Sequence, residues 1–397
     1  MPSMDDDERP PFQRVAWDDV SPRRRRVTTE RLVLLVGVCG LLAAFLYDVF
    51  VARIYLVGEW EVAPVEWGVL LALVGLAAYG VVPALRRPAA VRRLWGRIRS
   101  DRRLLAALGT LGGVVTVGLV GGPVLGSPTV DFLYAYQPPL GVTAKVYGAS
   151  CYGEIVQGSG ITRYCQGSLY YPFGTNTRGQ PLDYLVIRGA RPAAFVLVFT
   201  AAFVVPLAAA VGVAAGLRGG RLDDLLMTYV DVQLSLPALF AYFLGYMYVG
   251  PSLLLLLVTF GLLSWGGLAR VVRSEVLQRR EAGHVRVARS LGASDRYLAV
   301  HHILPNVTNT LVPAVFHLFA ILVLVEAGVA FLGLSDAELH SWGTTIAEGL
   351  TTSPMAPHDV WWISTVPALA LTATVVACKV AGDGLRDALD PKRGDRQ

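Results

Sequence analysis

The sequence predicts an all-α polytopic membrane protein with about eight transmembrane helices. Of its 397 residues, 54% are hydrophobic and only 16% are charged, whereas a soluble domain carries roughly 25% charged residues. Eight apolar runs are long enough to cross a bilayer core of about 30 Å, which needs roughly 20 helical residues. Arginine clusters in alternate loops, as the positive-inside rule predicts for a multi-pass protein.

The apolar runs follow a polar segment of 31 residues in which no cleavable signal peptide is apparent. The cluster from Arg23 to Arg26 precedes the first run, and this position indicates a cytoplasmic anchor rather than a nucleic-acid patch. The fifth and sixth runs are separated only by a tight turn at Gly250-Pro251. The predicted spans lie near 32–52, 65–85, 104–126, 193–217, 227–249, 252–270, 309–333 and 360–381.

Charge fixes the predicted orientation of these spans. Loop 86–103 holds eight arginines, and loop 271–308 and the C-terminal tail are also basic, whereas segment 334–359 contains no Lys or Arg. If both termini are cytoplasmic, all three basic segments fall inside and the acidic segment falls outside. The sequence therefore predicts a multi-pass protein of the cell membrane, in contact with lipid, with both termini in the cytoplasm.

The long segment 127–191 then lies outside. It is rich in Tyr, Gly, Ser and Pro, and it contains Cys151 and Cys165. Two cysteines in one external loop form a disulfide in an oxidising compartment; two free thiols in a flexible loop are the alternative.

Six groups of residues follow one another from Tyr171 to the C-terminal region. They occur in the order, and on the predicted sides of the membrane, that one known family has. They are Tyr171-Pro172-Phe173-Gly174-Thr175 with Gly179 and Gly189-Ala190-Arg191; Gly219-Gly220 with Asp223, Leu225-Leu226-Met227 and Val230-Asp231; Leu291-Gly292-Ala293-Ser294-Asp295; His302-Ile303-Leu304-Pro305-Asn306; Glu326-Ala327-Gly328 with Phe331-Leu332-Gly333-Leu334 and Ser341-Trp342-Gly343; and Gly382 to Pro391. Together they resemble the permease subunit of the dipeptide, oligopeptide and nickel class of ABC importers.

The resemblance implies a six-helix permease core preceded by a two-helix extension. It also implies four kinds of partner: a second homologous permease, two ATP-binding cassette ATPases, an external substrate-binding protein and membrane lipid, with no nucleic acid. The predicted segments are a cytoplasmic tail (1–31), an accessory hairpin with a basic linker (32–103), the first core helix (104–126), the external loop (127–191), the permease core (192–391) with its coupling loop (271–308), and a C-terminal tail (392–397).

The coupling loop is the segment in which this family inserts a short helix into a groove of the ATPase. Helical spacing predicts Val285, Ala288 and Leu291 near one face, and Gly292 suits the end of the helix because it tolerates a left-handed backbone. A solvated basic loop without a partner is the alternative. The candidate coupling residues are Arg280, Glu281, Arg286, Ala288, Leu291, Gly292, Ala293, Ser294, Asp295, Leu304 and Pro305.

Two positions depart from the family pattern. The coupling loop usually carries an acid six residues before its glycine, and here Arg286 stands in that place. The external GTDxxGRD pattern is replaced by residues 174–181, GTNTRGQP. The sequence therefore does not determine the contacts of either segment.

Polar side chains at membrane depth are costly and often mark a pathway. Asp231, Tyr242 and Glu326 are candidates for the translocation path. Asp231 near the cytoplasmic end of its span could instead be hydrated, and Glu326 could instead hydrogen-bond a neighbouring helix. Adjacent His301-His302 lacks metal-ligand spacing, so no metal site is predicted.

No phosphate-cradling G-x-x-x-x-G-K-[ST] sequence or other catalytic motif occurs. We therefore expect a transport subunit rather than an enzyme, with no cofactor, and with ATP hydrolysis in another chain. Peptides are the leading substrate class; nickel chelates and oligosaccharides are alternatives within the family. An ion-coupled secondary transporter is the alternative from another class.

Overall fold

The computed structural model describes residues 28–52, 62–126, 129–336, 339–351 and 355–389. Most of the predicted N-terminal tail and all of the tail 392–397 lie outside the described residues. The helices are α1 (Thr29–Tyr47), α2 (Pro64–Leu76), α3 (Val82–Arg86), α4 (Pro88–Ser100), α5 (Arg102–Leu125), α6 (Leu182–Phe199), α7 (Val205–Arg218), α8 (Gly220–Ser235), α9 (Ala238–Val249), α10 (Leu253–Arg280), α11 (Gly283–Ser290), α12 (Asp295–Leu298), α13 (Leu304–Phe331), α14 (Trp342–Leu350) and α15 (Trp362–Leu389).

Seven helical stretches in the described part of the chain are long and apolar enough to cross a membrane, and the pair α8–α9 makes an eighth if it counts as one bent span. The prediction of about eight spans is confirmed in this sense. The seven stretches are Thr29–Val51, Pro64–Arg86, Arg102–Gly121, Leu182–Arg218, Leu253–Arg280, Val307–Phe331 and Trp362–Leu389.

The predicted span 227–249 is wrong as a single straight helix. Its helix begins earlier, at Gly220, and α8 and α9 meet at an angle of 71°. The bend falls at Leu236 and Pro237, which have extended backbone angles and precede the first residue of α9. Proline lacks the N–H of a continuing helix and disfavours helical angles in the residue before it.

Three other boundaries move outwards from the predicted positions. Helix α6 begins at Leu182 rather than near 193, α10 runs on to Arg280, and α13 begins at Leu304. A π-helical segment, Thr200–Val204, joins α6 to α7, so the two form one stretch of 37 residues. These spans therefore project beyond the membrane core at their ends.

Close packing in the centre depends on small residues. Gly212 and Gly216 lie one turn apart on α7 and face α10. A Cβ on Gly212 would lie 2.5 Å from the Ala269 carbonyl oxygen, and one on Gly216 would lie 2.7 Å from the Val276 Cβ. Glycines at this spacing let two helix backbones approach closely, which makes α7 and α10 a tightly joined pair.

The accessory hairpin packs directly on the permease core through its second helix. Val65, Val69 and Ala72 of α2 are at most 4% exposed and belong to the main hydrophobic cluster. Helix α2 contacts α6, α10 and the π segment between α6 and α7, whereas α1 buries none of its residues. The hairpin is thus attached to the core by one helix.

The segment between α5 and α6 contains a small antiparallel sheet, which was not predicted from the sequence. Its strands are β1 (Thr143–Tyr147), β2 (Ile155–Gln157) and β3 (Thr162–Gln166), in the order β1-β3-β2. A disulfide joins Cys151 to Cys165 of β3. Cys165 is fully buried in a cluster that also contains Leu182 of α6 and Trp362 of α15. The sheet is therefore fixed to the ends of two spanning helices.

Candidate functional site

The loop between α10 and α13 contains the short helix that the sequence predicts. Helix α11 ends in a Schellman motif, in which the Gly292 N–H donates to the Arg289 carbonyl (3.0 Å) and the Ala293 N–H donates to the Ala288 carbonyl (3.1 Å). Gly292 has φ +86°, and a Cβ on it would meet no atom within 4 Å. Glycine is required here by the backbone conformation and not by lack of space.

The exposed face of α11 is apolar as well as basic. Val285 is fully buried and anchors the helix, whereas Val287 is 58% exposed and Leu291 is 82% exposed. The prediction that Leu291 shares the face of Val285 is wrong, because residues six apart lie about 240° apart around a helix. Leu291 follows Val287 by four residues and shares its face. Val287 and Leu291 instead form a small apolar surface that the described part of the chain leaves open.

Ionic contacts hold the ends of this loop. Asp295 lies 3.8 Å from Arg218 of α7 and 3.7 Å from Arg289 of α11. Arg280 donates to the Gly216 carbonyl (3.0 Å) and pairs with Glu281 (3.2 Å). The loop is therefore tied to the C-terminal end of α7.

Three other predicted loop residues lie at helix ends. The Ser294 hydroxyl accepts a hydrogen bond from the Tyr297 N–H at the start of α12 (3.3 Å). Leu304 begins α13 and Pro305 occupies its first turn, where its missing N–H costs nothing; the Pro305 side chain lies outside the described residues. Arg286 is exposed and makes no ion pair with the described residues, so it projects away from the chain.

Of the three candidates for the translocation path, only Asp231 is open to its surroundings. It is paired with Arg270 of α10, and both side chains remain about half exposed (61% and 47%). Tyr242 is fully buried and its hydroxyl donates to the Leu334 carbonyl (2.7 Å). Glu326 is also buried, with 3% of its surface exposed. A role for these residues in the path stays a prediction.

Two of the six motifs meet where α14 packs against α6 and α13. The Trp342 ring donates to the Val186 carbonyl of α6 (2.9 Å) and covers Gly189, where a Cβ would lie 2.2 Å from the ring. On the next residue, a Cβ on Gly343 would lie 1.9 Å from the Ala327 carbonyl of α13. The residues Gly189, Gly343 and Trp342 therefore seat α14 between α6 and α13.

The segment that departs from the GTDxxGRD pattern forms a tight, buried turn. The Asn176 side-chain oxygen accepts from the N–H groups of Arg178 (3.0 Å) and Gln180 (2.8 Å), and its amide donates to the Gln180 side chain (2.9 Å). The same amide donates to Glu348 of α14 (3.1 Å). Two neutral amides thus hold the turn where the family pattern has charged residues.

The structure shows two ion pairs that sequence reasoning missed. Glu66 of α2 pairs with Arg191 of α6, with side-chain exposures of 7% and 18%. Asp223 of α8 makes two hydrogen bonds to Arg273 of α10, at 2.5 and 2.6 Å. The only signal in the sequence was a charged residue in or beside an apolar run, and nothing in a single run identifies its partner.

Comparison with known proteins connects this arrangement to transport. Residues 208–395 match the family described as binding-protein-dependent transport system inner membrane component. The match begins inside α7, so the accessory hairpin lies outside it.

Similar proteins carry names from peptide transport. A putative peptide transport system permease protein of Brucella suis biovar 1 (strain 1330) is 34% identical over 231 residues, which are 58% of this chain and 76% of the relative. The dipeptide transport system permease protein DppC of Bacillus subtilis (strain 168) is 33% identical over 221 residues, 55% of this chain and 68% of the relative. The oligopeptide transport system permease protein OppC of Escherichia coli (strain K12) is 33% identical over 221 residues, 55% of this chain and 72% of the relative.

Proposed function

This chain belongs to the family of inner membrane components of binding-protein-dependent transport systems, and from that premise we propose that it forms the pore of an ATP-driven importer of di- and oligopeptides. The family consists of transport subunits, so the chain is a transport component and not an enzyme. The names of its relatives support peptides over nickel chelates or oligosaccharides. Membership also favours the importer over an ion-coupled transporter.

The proposed assembly contains a second homologous permease, two ATP-binding cassette ATPases and an external substrate-binding protein. No phosphate-cradling motif occurs in the sequence, so the ATPase partners supply hydrolysis. The arginine distribution supports a cytoplasmic position for both termini and for the loop containing α11. The external sheet and α14 then face the binding protein.

The observation that carries this proposal is the exposed apolar surface of α11. Val287 and Leu291 point away from the chain at 58% and 82% exposure, while the buried Val285 holds the helix in place. A short helix with one anchored and one open face suits insertion into a groove of a partner. ATP-driven closure of the ATPases would then move α11, and the contacts from Arg280 and Asp295 to α7 would pass that movement to the bundle.

Arg286 has a smaller role in this account. It is exposed and makes no ion pair with the described residues, so its contact with the ATPase resembles a surface ion pair worth about 0.2–1 kcal/mol. We expect Arg286→Ala to weaken substrate-stimulated ATPase activity only modestly. Abolition of the stimulation by this change would replace the packing account of the loop with an electrostatic one.

The test is site-specific photo-crosslinking in the assembled transporter. A benzoylphenylalanine at Leu291 should crosslink to the ATPase, whereas the same residue at Leu169 should not. The two leucines are a matched pair, because they are 82% and 81% exposed and lie on opposite predicted sides. Proteoliposomes containing the complex should take up peptide only with ATP and ATPase. Crosslinking from Leu169 alone, or peptide uptake without ATPase, would contradict the proposal.

A further inference from the structure

A cleft of about 290 Å³ opens between the 174–181 turn, the connection from α13 to α14, and α14 itself. All three belong to segments that the arginine distribution places outside. Its lining includes the polar residues Asn176, Arg178, Gln180, Thr344, Thr345 and Glu348. The volume lies at the lower end of the range for small-molecule sites, which suits a ligand of two or three amino-acid residues.

Glu348 is the acidic group among the described residues that line this cleft, and neutral donors hold it in place. Its carboxylate accepts hydrogen bonds from the Asn176 amide (3.1 Å), the Thr177 N–H (3.2 Å) and the Thr177 hydroxyl. A carboxylate has about four acceptor positions, so one remains open. None of the three donors is a cation, and Glu348 makes no ion pair within the described ranges. Its negative charge is therefore oriented but not neutralised by an ion pair.

Glu348 also lies at a position that is unfavourable for a negative charge. It lies in the last turn of α14, where the partial negative charge of the helix terminus repels an anion. Its charge also reaches a neighbouring group: burial first, and then the charge of Glu348, raise the pKa of the Tyr136 phenol. A cation bound beside Glu348 would offset the repulsion between its carboxylate and the helix terminus.

Arg178 supplies the opposite charge at the same cleft. It is exposed, and its guanidinium makes no ion pair within the described ranges. The buried Asn176 and Gln180 between the two charged residues are neutral. A cleft with one carboxylate and one guanidinium fits a zwitterion. A bare metal ion fits less well, because no group of three His, Cys, Asp or Glu in the described residues could hold one.

We propose that this cleft is a peptide-receiving site of the permease, in which Glu348 binds the α-ammonium group of a short peptide and Arg178 binds its carboxylate. The proposal rests on the proposed peptide-import function and adds to it a place where the released substrate first meets the permease. The buried turn from Asn176 to Gln180 and helix α14 fix the position of the acidic group, so recognition requires little rearrangement.

The experiment measures peptide binding to the assembled permease and ATPase complex in nanodiscs, without the binding protein. Isothermal titration with Ala-Ala should show binding, and N-acetyl-Ala-Ala should bind at least about tenfold more weakly, because the charged hydrogen bond is lost. Glu348→Gln should weaken the binding of Ala-Ala by a similar factor, without further weakening the binding of N-acetyl-Ala-Ala. Arg178→Gln should weaken the binding of Ala-Ala by a similar factor, without further weakening the binding of the C-terminal amide of Ala-Ala.

Glu154→Gln is the matched control, because Glu154 is also an external, exposed acid but does not line the cleft; it should bind Ala-Ala as the wild type does. Equal binding of free and acetylated peptide, unchanged binding by Glu348→Gln, or no binding to the wild type would overturn the proposal. The comparison of free and acetylated peptide on the wild-type chain decides the question even if a variant fails to fold. If ATP-dependent uptake and the Leu291 crosslink persist while binding fails, only this site is refuted.

Discussion

Loss of the Glu66–Arg191 pair should weaken the attachment of the accessory hairpin to the rest of the bundle. Glu66 is the only acidic residue of α2, and it lies against Arg191 of α6 with 7% of its side chain exposed. One carboxylate oxygen also accepts from the Ala63 N–H (3.2 Å) at the start of α2. Glu66→Gln retains the shape and an oxygen for this cap, and it removes the charge that faces Arg191.

The size of the expected destabilisation follows from the charge that remains without its partner. Removing one partner of a buried ion pair costs about 3–5 kcal/mol, because the remaining charge is uncompensated. The Arg191 guanidinium keeps its place 5.5 Å from the centre of the Phe195 ring, a contact worth about 0.5–2 kcal/mol. We therefore expect Glu66→Gln to lower the free energy of unfolding by about 3 kcal/mol, and Arg191→Gln to have a comparable effect.

The assay is a double-mutant cycle on the free energy of unfolding, measured by steric trapping in bicelles. The double variant Glu66→Gln with Arg191→Gln should be less destabilised than the sum of the two single changes, with a coupling of about 2 kcal/mol. Glu30→Gln provides the control, because the Glu30–Arg86 pair joins the same hairpin at 21% and 49% side-chain exposure. Its effect should be much smaller, since water reaches both groups.

Strict additivity of the two single changes would refute the reasoning. It would mean that the charges are solvated in the membrane protein despite their burial. A second check is the charge-reversed pair, Glu66→Arg with Arg191→Glu, which should recover part of the stability lost in either single reversal. If the reversed pair is no better than the single reversals, the contact does not act as an ion pair.

Three further predictions concern topology, the external disulfide and the coupling loop. Cysteines introduced at Arg93 and at Leu169 should react with impermeant reagent from opposite sides of the membrane; reaction from one side would overturn the orientation. Unreduced peptides should show Cys151 linked to Cys165 by mass spectrometry, and alkylation of both thiols in the native protein would exclude the bridge. Gly292→Val should abolish most substrate-stimulated ATPase activity, because a β-branched residue disfavours positive φ, whereas Gly292→Asn should retain much of it; equal activity of both variants would contradict the backbone argument.

The sequence predicted the elements whose cause is local. The left-handed position at Gly292 and the proline at the start of α13 both follow from the backbone preferences of single residues, and both occur in the structure. The long spans are equally local, because membrane thickness sets their length. The bend at Pro237 was harder to predict, because a hydropathy window averages over the residues on both sides of it.

Tertiary features were beyond the sequence for a different reason. Glu66 and Arg191 are 125 positions apart, and neither apolar run reveals which helix covers the other. The cleft at Glu348 likewise depends on a turn in the external loop that lies far from α14 in the sequence. Leu291, by contrast, could have been placed from the sequence, because residues four apart, such as Val287 and Leu291, share a helix face and residues six apart do not.

The unbroken stretch formed by α6, its π segment and α7 has a mechanical consequence. At 1.5 Å per residue, its 37 residues, Leu182–Arg218, are about 55 Å long. They include Val186, which accepts a hydrogen bond from Trp342, and Arg218, which lies 3.8 Å from Asp295. A force on the Arg218 end would reach the Val186 end along one continuous helix. Two places in it depart from a regular α-helix: Thr200–Val204, where π-helical hydrogen bonding interrupts the α-helical ladder, and Pro192 inside α6. The bending of the helix at these two places would set how much of the movement reaches the Val186 end.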